Sequence, residues 1–511
     1  MSEQLALLPG HLTAHLQLTL VALALGIGIS VPLGIWLTRR PEFEPPVLGL
    51  ASVIQTIPSL ALLAVMVPIL AGLGALLAGT GIDIRGIGYT PALIALTLYS
   101  VLPVLRNTVT GIAELDPAYV EAARAVGMTD RQRLWRVELP LAMPVLVAGV
   151  RTAAVWVVGT ATLSTPIGAT SLGNFIFSGL ATRNDAAVLV GCVASAGLAL
   201  VLDGLIRNVE RGARERSRPR LLAALLALGA LALYTAASFF SSSAAARPVK
   251  IGSKAFTEQY ILAEMLALRV QEAGLPTELL PSLGSTFAFE GLANGDLDAY
   301  VDYSGTVWAT IMKRAQLPER REAVLEEVRQ FLQVEHGIGL VASLGFENTY
   351  ALGMRRAHAD ALGVTRISQL VHVAPSLEIG GDYEFFDRTE WKALEATYGL
   401  RFAEERPMDP SLMYQAVAED EVDVISAFST DGRIAAFDLV LLDDDRAVIP
   451  PYDAILLVSA RLQRELPQAV EALRRFEGSL DATTMQRLNQ RVDGDGVSAA
   501  TVARESLESL P

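Results

Sequence analysis

The chain of 511 residues is poor in cysteine and in lysine. Its one cysteine, Cys192, cannot form a disulfide within the chain, so oxidation gives no indication of the compartment. The only lysines are Lys250, Lys254, Lys313 and Lys392, and none of them follows a glycine. The phosphate-binding loop of ATPases needs a Gly-Lys pair. That loop is therefore absent, and any ATP hydrolysis requires a separate subunit.

Other signatures of chemistry are missing as well. The sequence shows no nucleophile elbow, no paired-carboxylate motif and no cluster of residues with metal-ligand spacing. We expect no catalytic residues, no metal and no cofactor in this chain. A membrane-anchored hydrolase remains the rival interpretation from the enzyme class, because the second half contains many scattered acids.

Charge is divided unevenly along the chain. Before residue 248 there are 17 arginines, no lysine and 13 acidic residues, which gives a net charge of +4. The remainder has 24 basic and 42 acidic residues, a net charge of −18. A basic, apolar first half and an acidic, more polar second half predict two environments, lipid for the first and water for the second.

Six apolar runs in the first half predict six membrane crossings. Each is close to the roughly 20 residues that span about 30 Å of hydrocarbon, although the third is short. Arg151 lies inside the fourth run, so that segment should face other helices or water rather than lipid. The runs are Leu16–Leu37, Leu48–Leu73, Pro91–Leu105, Leu141–Thr160, Ala186–Ile206 and Leu221–Phe240.

The positions of the arginines predict the orientation in the membrane. Loops after the first, third and fifth runs are rich in arginine, whereas the other loops contain only Arg85 and Arg183. Arginine-rich loops face the cytoplasm. The N-terminus and everything from Val249 onward should then lie outside the cytoplasm, joined to the last crossing by the small, polar tether Ser241–Arg247.

The second half alternates short apolar strands with amphipathic helices, which predicts an α/β domain with mostly parallel sheets and two lobes. We expect an all-α permease domain over 1–220, a last crossing and linker over 221–248, and a soluble domain over 249–511. Lobe 1 should comprise about 249–350 and 450–511, and lobe 2 about 351–449. The expected strands are Val249–Ile251, Ile338–Val341, Tyr350–Leu352, Val422–Ile425 and Ala454–Val458, and the expected helices are Glu258–Gln271, Glu319–Val334 and Leu462–Gly478.

One cytoplasmic loop has a specific pattern. It reads Glu121-Ala122-Ala123-Arg124-Ala125-Val126-Gly127 and is followed by Pro140 at the next crossing. Small residues allow a short helix to pack closely against a partner, and Gly127 permits a sharp exit. The loop resembles the EAA loop of ABC importer permeases, whose coupling helix docks into the ATPase. That resemblance implies coupling roles for Glu121, Ala122, Ala123 and Gly127, a cytoplasmic ATPase partner and a permease homodimer.

Further strings in both halves extend the resemblance. In the first half they look like permeases of glycine betaine, carnitine and choline importers, which act as osmoprotectant systems. Nearly all of Val249–Pro511 resembles the substrate-binding proteins of the same importers. The strings are Thr56–Ser59, Leu98–Thr108 and Gly173–Leu180 in the first half, and Ile251–Tyr260, Gly284–Thr286, Leu292–Thr306, Asn348–Leu352, Glu384–Arg388 and Ser429–Ile434 in the second.

The implied ligand is a quaternary ammonium compound, whose nitrogen cannot donate a hydrogen bond and is recognised by aromatic ring faces. Each aromatic candidate has a core role as its alternative. Arg388 and Arg433 could pair with a ligand carboxylate, or form structural salt bridges with Glu384, Asp387 or Asp431. Candidate ligand residues are the aromatics Tyr303, Tyr350, Tyr414, Phe428 and Tyr452, the polar residues Gln259, Ser285, Thr286, Thr306, Asn348, Ser429, Thr430 and Asp431, and the cation Arg388.

Two smaller expectations concern the same strings. Thr257 is a plausible N-cap of the first helix of the domain. Asp302 could attract a cation or be an ordinary exposed acid. Together these resemblances imply an ABC importer for glycine betaine, choline or carnitine. The alternatives are a histidine betaine such as ergothioneine as the solute, or a binding domain that mainly senses its ligand.

Overall fold

The computed structural model describes residues 2–77, 85–215, 217–241, 247–314 and 321–509. The chain divides into two compact units, a helical one and an α/β one. The tether expected at Ser241–Arg247 falls largely outside the described residues.

The first unit is entirely helical among its described residues. Five of its helices are long and apolar enough to cross a membrane, and a bent pair could make a sixth. The all-α membrane domain is confirmed, with five to six crossings. The helices are α1 (Ser2–Arg39), α2 (Glu44–Thr56), α3 (Ser59–Leu77), α4 (Tyr89–Ala113), α5 (Pro117–Ala125), α6 (Asp130–Arg133), α7 (Leu139–Ala161), α8 (Gly173–Ala181), α9 (Asp185–Arg214) and α10 (Arg218–Ser241).

The sequence suggested a single crossing for the second apolar run, but in the structure this run is bent. Helices α2 and α3 meet at an angle of 100°. Ile57 between them is extended, with φ −67° and ψ 126°, because the following Pro58 disfavours helical geometry at the residue before it. The run is therefore a broken span or a re-entrant segment.

Two charged side chains beside or within the apolar helices of this unit, Arg151 and Glu138, are paired. Arg151 of α7 donates to Asp203 of α9 at 2.5 Å and to Glu210 at 3.3 Å. Of the two alternatives expected for this segment, other helices or water, the ion pairs show that Arg151 contacts another helix, α9. The buried Glu138, which precedes α7, accepts from Arg39 of α1 and from Arg133.

The loop before α7 has the geometry that its sequence indicated. Asp116 caps α5 by accepting from the amide of Ala118, and Ala123 is the buried residue of this short helix. Gly127 has φ +77°, a left-handed conformation that reverses the chain with little strain only at glycine. Thr129 then starts α6 with a capping box.

The second unit contains two five-stranded sheets, ordered β2-β1-β3-β10-β4 and β7-β6-β8-β5-β9. Four strands of each sheet run in one direction, but β10 and β5 run opposite to their neighbours. The two-sheet α/β class is confirmed. The expected mostly parallel sheets are mixed instead, because each sheet has two parallel and two antiparallel strand pairs. The strands are β1 (Val249–Lys254), β2 (Thr277–Leu283), β3 (Ala299–Tyr303), β4 (Gly339–Glu347), β5 (Tyr350–Arg355), β6 (Glu378–Asp382), β7 (Glu404–Met408), β8 (Val424–Phe428), β9 (Leu439–Leu441) and β10 (Asp453–Val458).

Helices cover these sheets and complete a shared apolar core. The helix expected over Leu462–Gly478 is two helices, because Leu466 leaves helical geometry before Pro467 starts the second. The helices are α11 (Thr257–Glu272), α12 (Ser285–Ala293), α13 (Ser304–Thr306), α14 (Arg321–His336), α15 (Arg356–Leu362), α16 (Ile367–Leu370), α17 (Thr389–Tyr398), α18 (Pro410–Ala418), α19 (Arg433–Ala436), α20 (Ala460–Glu465), α21 (Pro467–Arg474), α22 (Ala482–Asp493) and α23 (Ala499–Ser509).

Candidate ligand-binding site

A cavity of about 270 Å³ lies where strands of both sheets of the second unit end. Lys254, Tyr303, Asp382 and Phe428 are the last residues of β1, β3, β6 and β8, and all four line it. Tyr350 begins β5, which runs antiparallel to β8 and pairs Tyr350 with Phe428. The carboxyl ends of parallel strands are a usual ligand position in α/β sheets.

Five aromatic rings form a continuous group in the wall of this cavity. Phe256 is parallel to Phe428, with centroids 6.1 Å apart and an interplanar angle of 4°, and lies 6.2 Å from Tyr303. Tyr350 contacts Phe428 at 4.9 Å and Tyr452 at 5.8 Å. Rings from both sheets therefore surround one space.

The three phenols of this aromatic group each donate to a buried carboxyl. Tyr303 donates to Glu258, Tyr452 to Glu390, and Tyr350 to Asp382 at 3.1 Å. Burial raises the pKa of all three phenols well above their usual value. The phenols remain neutral, and each hydrogen bond restrains the orientation of its ring.

Protein cations already lie against tyrosine rings near the cavity. The guanidinium of Arg388 is 5.2 Å from the Tyr350 centroid, and Lys254 Nζ is 5.5 Å from that of Tyr303. Arg388 pairs with Glu384 at 2.7 Å, and Lys254 pairs with Asp302 at 2.5 Å. These ring faces thus have the electrostatic character that holds cations.

Glu258 is a carboxylate in the cavity wall that is 2% exposed. Its Oε1 accepts from Tyr303 and from Asn348 Nδ2 at 3.2 Å, and its Oε2 accepts from Thr430 and from Asn489 Nδ2 at 3.3 Å. Burial raises the pKa of Glu258, and the four donors oppose that rise. Glu258 joins residues from four separate parts of the chain.

Comparison with known proteins identifies the family of this chain. Residues 247–509, more than half of the chain, match the family described as the substrate binding domain of ABC-type glycine betaine transport systems. The chain belongs to this family. Residues 30–215 match the inner membrane component of binding-protein-dependent transport systems. The chain is therefore a permease fused to a substrate-binding domain of an ABC importer, and it is a multi-pass protein of the inner membrane.

Individual relatives cover one half or both. The chain is 27% identical over 495 residues to the ergothioneine transport permease/ergothioneine binding protein EgtU of Helicobacter pylori, covering 94% of this chain and 86% of the relative. The choline transport system permease protein OpuBB of Bacillus subtilis is 40% identical over 197 residues, covering 39% and 84%. A crystal structure of a glycine betaine/carnitine/choline ABC transporter, 31% identical, covers 51% of this chain and 98% of that chain with a TM-score of 0.45.

Most of the candidate residues named from the sequence meet at the cavity of the binding domain. They come from both sheets and from the chain segments that join them. Those that line it are Ser285, Tyr303, Thr306, Asn348, Tyr350, Arg388, Phe428, Thr430, Asp431 and Tyr452.

Four candidate residues lie outside the cavity lining. Gln259 is buried behind Tyr303 and donates to its hydroxyl at 3.1 Å. Tyr414 is fully buried, accepts from the amide of Phe428 at 2.9 Å, and lies under Arg433 at 4.0 Å. Ser429 accepts from the amide of Thr349 at 2.9 Å, and Thr286 is exposed on α12. These positions are supporting or peripheral.

The structure decides several alternatives that the sequence left open. Arg433 is buried and paired with Asp431 through two hydrogen bonds of 2.9 and 2.6 Å, so the structural salt bridge exists. Asp302 is 1% exposed, so it is not an ordinary exposed acid. Thr257 does not cap α11, because Phe256 holds that position and the Thr257 hydroxyl donates to Asp493 at 2.5 Å.

Several lining residues were missed from the sequence. Phe256 and Glu258 lie within the string Ile251–Tyr260, and the signal that could have found them is the strand-to-helix turn after β1. Asp382 ends β6 and could have been found from that position. Asn489 and Asp493 on α22 are more than 230 residues from Glu258, and no local pattern indicates them.

Proposed function

We propose that this chain imports a small solute with a methylated quaternary ammonium group, such as glycine betaine, choline or carnitine. The observation that carries the proposal is the group of five aromatic rings around one cavity. A methylated ammonium offers no N–H donor, so ring faces are its natural partners. Each such contact contributes about 0.5–2 kcal/mol, depending on desolvation.

The charges around the cavity also favour a cation. Five carboxyls line it, from Glu258, Asp382, Glu384, Asp431 and Asp493. Three basic side chains among the described residues do so, those of Lys254, Arg388 and Arg433, so the acids outnumber the bases even when Asp493 holds a proton. A volume of about 270 Å³ is at the small end of ligand pockets, which typically span about 300–1,000 Å³, and suits a compact solute.

A ligand carboxylate, present in betaines and absent from choline, has a partner in Arg388. The side chain of Arg388 is 10% exposed, and its Nε has no hydrogen-bond partner among the described residues. A guanidinium N–H aimed at an acceptor forms a strong charge-assisted hydrogen bond. Ser285 and Thr306 add hydroxyl donors at the same cavity. We expect zwitterionic ligands to use Arg388.

The transport cycle follows from the layout of the chain. The arginine-rich loops support an extracytoplasmic binding domain. Its lobes, about 249–350 with 450–511 and about 351–449, close on the solute by a hinge motion. Covalent attachment keeps the binding domain at a high local concentration near the permease.

The energy for transport comes from a separate ATPase in this proposal. The sequence contains no Gly-Lys phosphate loop. The ATPase docks at the loop that contains Glu121, Ala122, Ala123 and Gly127. Two copies of the permease form the pathway, because six crossings provide half of a closed symmetric channel.

Ergothioneine is a second candidate solute. One observation favours it, since the relative that aligns with 94% of this chain is named as an ergothioneine transport permease and ergothioneine binding protein. Ergothioneine also carries a trimethylammonium group and a carboxylate, so the same aromatic group and Arg388 would serve it.

Calorimetric titration of the detergent-purified chain tests the substrate class. Glycine betaine, choline, carnitine, proline betaine and ergothioneine form the panel, and at least one should bind. Tyr350→Ala should weaken that binding, whereas Tyr398→Ala, which removes a tyrosine remote from the cavity, should not. If the folded chain binds no member of the panel, the proposed substrate class is wrong. Ligand conversion into a product would instead favour the enzyme interpretation.

A further inference from the structure

Two buried amide oxygens at the cavity have no hydrogen-bond donor among the described residues. Asn348 is 6% exposed and Asn489 is 2% exposed, and both residues line the cavity. The Oδ1 atoms of both side chains are buried and accept no hydrogen bond within the part of the chain that the structure describes. Buried acceptors without partners are rare in folded proteins, because desolvation without a hydrogen bond costs free energy.

The orientation of both amides is set by their surroundings. Asn489 Nδ2 donates to the carbonyl of Thr430 at 2.8 Å and to Glu258 Oε2 at 3.3 Å. Asn348 Nδ2 donates to Glu258 Oε1 at 3.2 Å. Turning either amide would bring its oxygen against these acceptors, which is unfavourable. The oxygens are therefore held away from Glu258.

Glu258 acts here as a positioning residue. Each of its oxygens accepts two hydrogen bonds, one from an asparagine and one from a hydroxyl, that of Tyr303 or Thr430. A carboxylate with about four lone-pair sites is then saturated and has none left for a ligand. What remains to be satisfied at this end of the cavity is the pair of amide oxygens.

We propose that Asn348 and Asn489 form a hydrogen-bond-accepting subsite, so that the solute carries an N–H or O–H donor in addition to its methylated ammonium. This proposal rests on the proposed function. It divides the candidate solutes, because glycine betaine has no such donor, choline and carnitine have a hydroxyl, and ergothioneine has ring N–H groups. A site built to accept a hydrogen bond discriminates strongly against an analogue that lacks the donor.

The test uses matched ligands on the wild-type chain in detergent. Choline and carnitine are compared with their O-methyl ethers, and ergothioneine with the form in which both ring nitrogens are methylated, by calorimetric titration. The donor-bearing member should bind on the order of tenfold more tightly, the factor that one satisfied buried hydrogen bond provides. Equal affinity within a pair would overturn the subsite, as would binding of glycine betaine alone.

Variants separate the two amides from general damage. Asn489→Ala and Asn348→Ala should each weaken binding of the donor-bearing ligand about tenfold and change binding of its methylated partner less than about twofold. Gln486→Ala is the matched control, because it removes an exposed amide from the same helix α22 and should leave both affinities unchanged. Equal losses for both ligands would show that the asparagines act only on the structure.

The outcomes distinguish this proposal from the proposed function. If no member of the panel binds, the substrate class fails and the subsite fails with it. If both members of a pair bind equally, the substrate class stands, and a bound water rather than the solute satisfies the amide oxygens. Because the ligand comparison needs no variant, misfolding of an alanine variant leaves the test intact.

Discussion

Phe256 offers the most specific perturbation of the proposed ammonium site. Its ring lies 6.1 Å from Phe428 and 6.2 Å from Tyr303, centroid to centroid, and it comes from the turn between β1 and α11. Phe256→Leu keeps an apolar side chain but removes the ring face. Phe402→Leu is the matched control, because Phe402 packs on Trp391 at 6.0 Å and does not line the cavity.

The expected loss follows from the energy of one ring contact. Removing one cation–π interaction costs about 0.5–2 kcal/mol, and a partly desolvated site falls near the middle of that range. About 1.4 kcal/mol corresponds to a tenfold change in Kd. We therefore expect Phe256→Leu to weaken ammonium binding by about three- to tenfold.

A neutral analogue separates the charge from the apolar contact. The ligand is compared with its isostere in which the ammonium nitrogen is replaced by carbon, a tert-butyl group of the same shape. The wild-type chain should prefer the charged ligand, and Phe256→Leu should reduce that preference while Phe402→Leu should not. If Phe256→Leu weakens both ligands equally, the ring contributes only apolar contact and the ammonium reasoning is wrong.

Three further predictions concern stability and coupling. Burial raises the pKa of Asp493 to about 7, so the folded chain holds a proton that an unfolded Asp releases near pH 4. The free energy of unfolding, measured by calorimetry, should therefore fall as pH rises from about 4 to 7, and Asp493→Asn should reduce this dependence on pH. Glu138→Gln leaves Arg39 and Arg133 without their carboxylate and should cost about 3 kcal/mol, measured as a lower Tm for the membrane unit. Gly127→Ala places a side chain at φ +77°, a strain of about 1 kcal/mol, and should reduce solute uptake by cells, whereas Gly197→Ala on α9 should not.

The fold followed from patterns that are local in sequence. Apolar runs of about 20 residues and the alternation of strands with helices need only neighbouring residues to be recognised. The breaks at Pro58 and Pro467 were visible as prolines, but a proline alone does not reveal whether a helix kinks or ends. The reversed direction of β5 and β10 depends on how the chain passes between the sheets, which no local pattern records.

The residues of the candidate site likewise divide into those that local sequence patterns indicate and those that depend on contacts between distant parts of the chain. Tyr303 was found because it lies in the string Leu292–Thr306, and Phe428 because it directly precedes the string Ser429–Ile434. Tyr414 was a candidate as well, yet its ring packs under Arg433 outside the cavity lining. The sequence does not reveal whether a side chain faces the cavity or the core behind it. Asn489 could not be found, because its importance arises from a contact with Glu258, 231 residues earlier in the chain.

The central claim is that the binding domain faces the outside of the cell and captures its solute there. Protease added to intact spheroplasts, followed by detection of the fragment from Val249 onward, tests it most directly. We predict that this fragment is released by external protease and that a saturating methylated ammonium ligand slows its further digestion. A domain that is cut only when the protease is admitted to the cytoplasm would contradict the account.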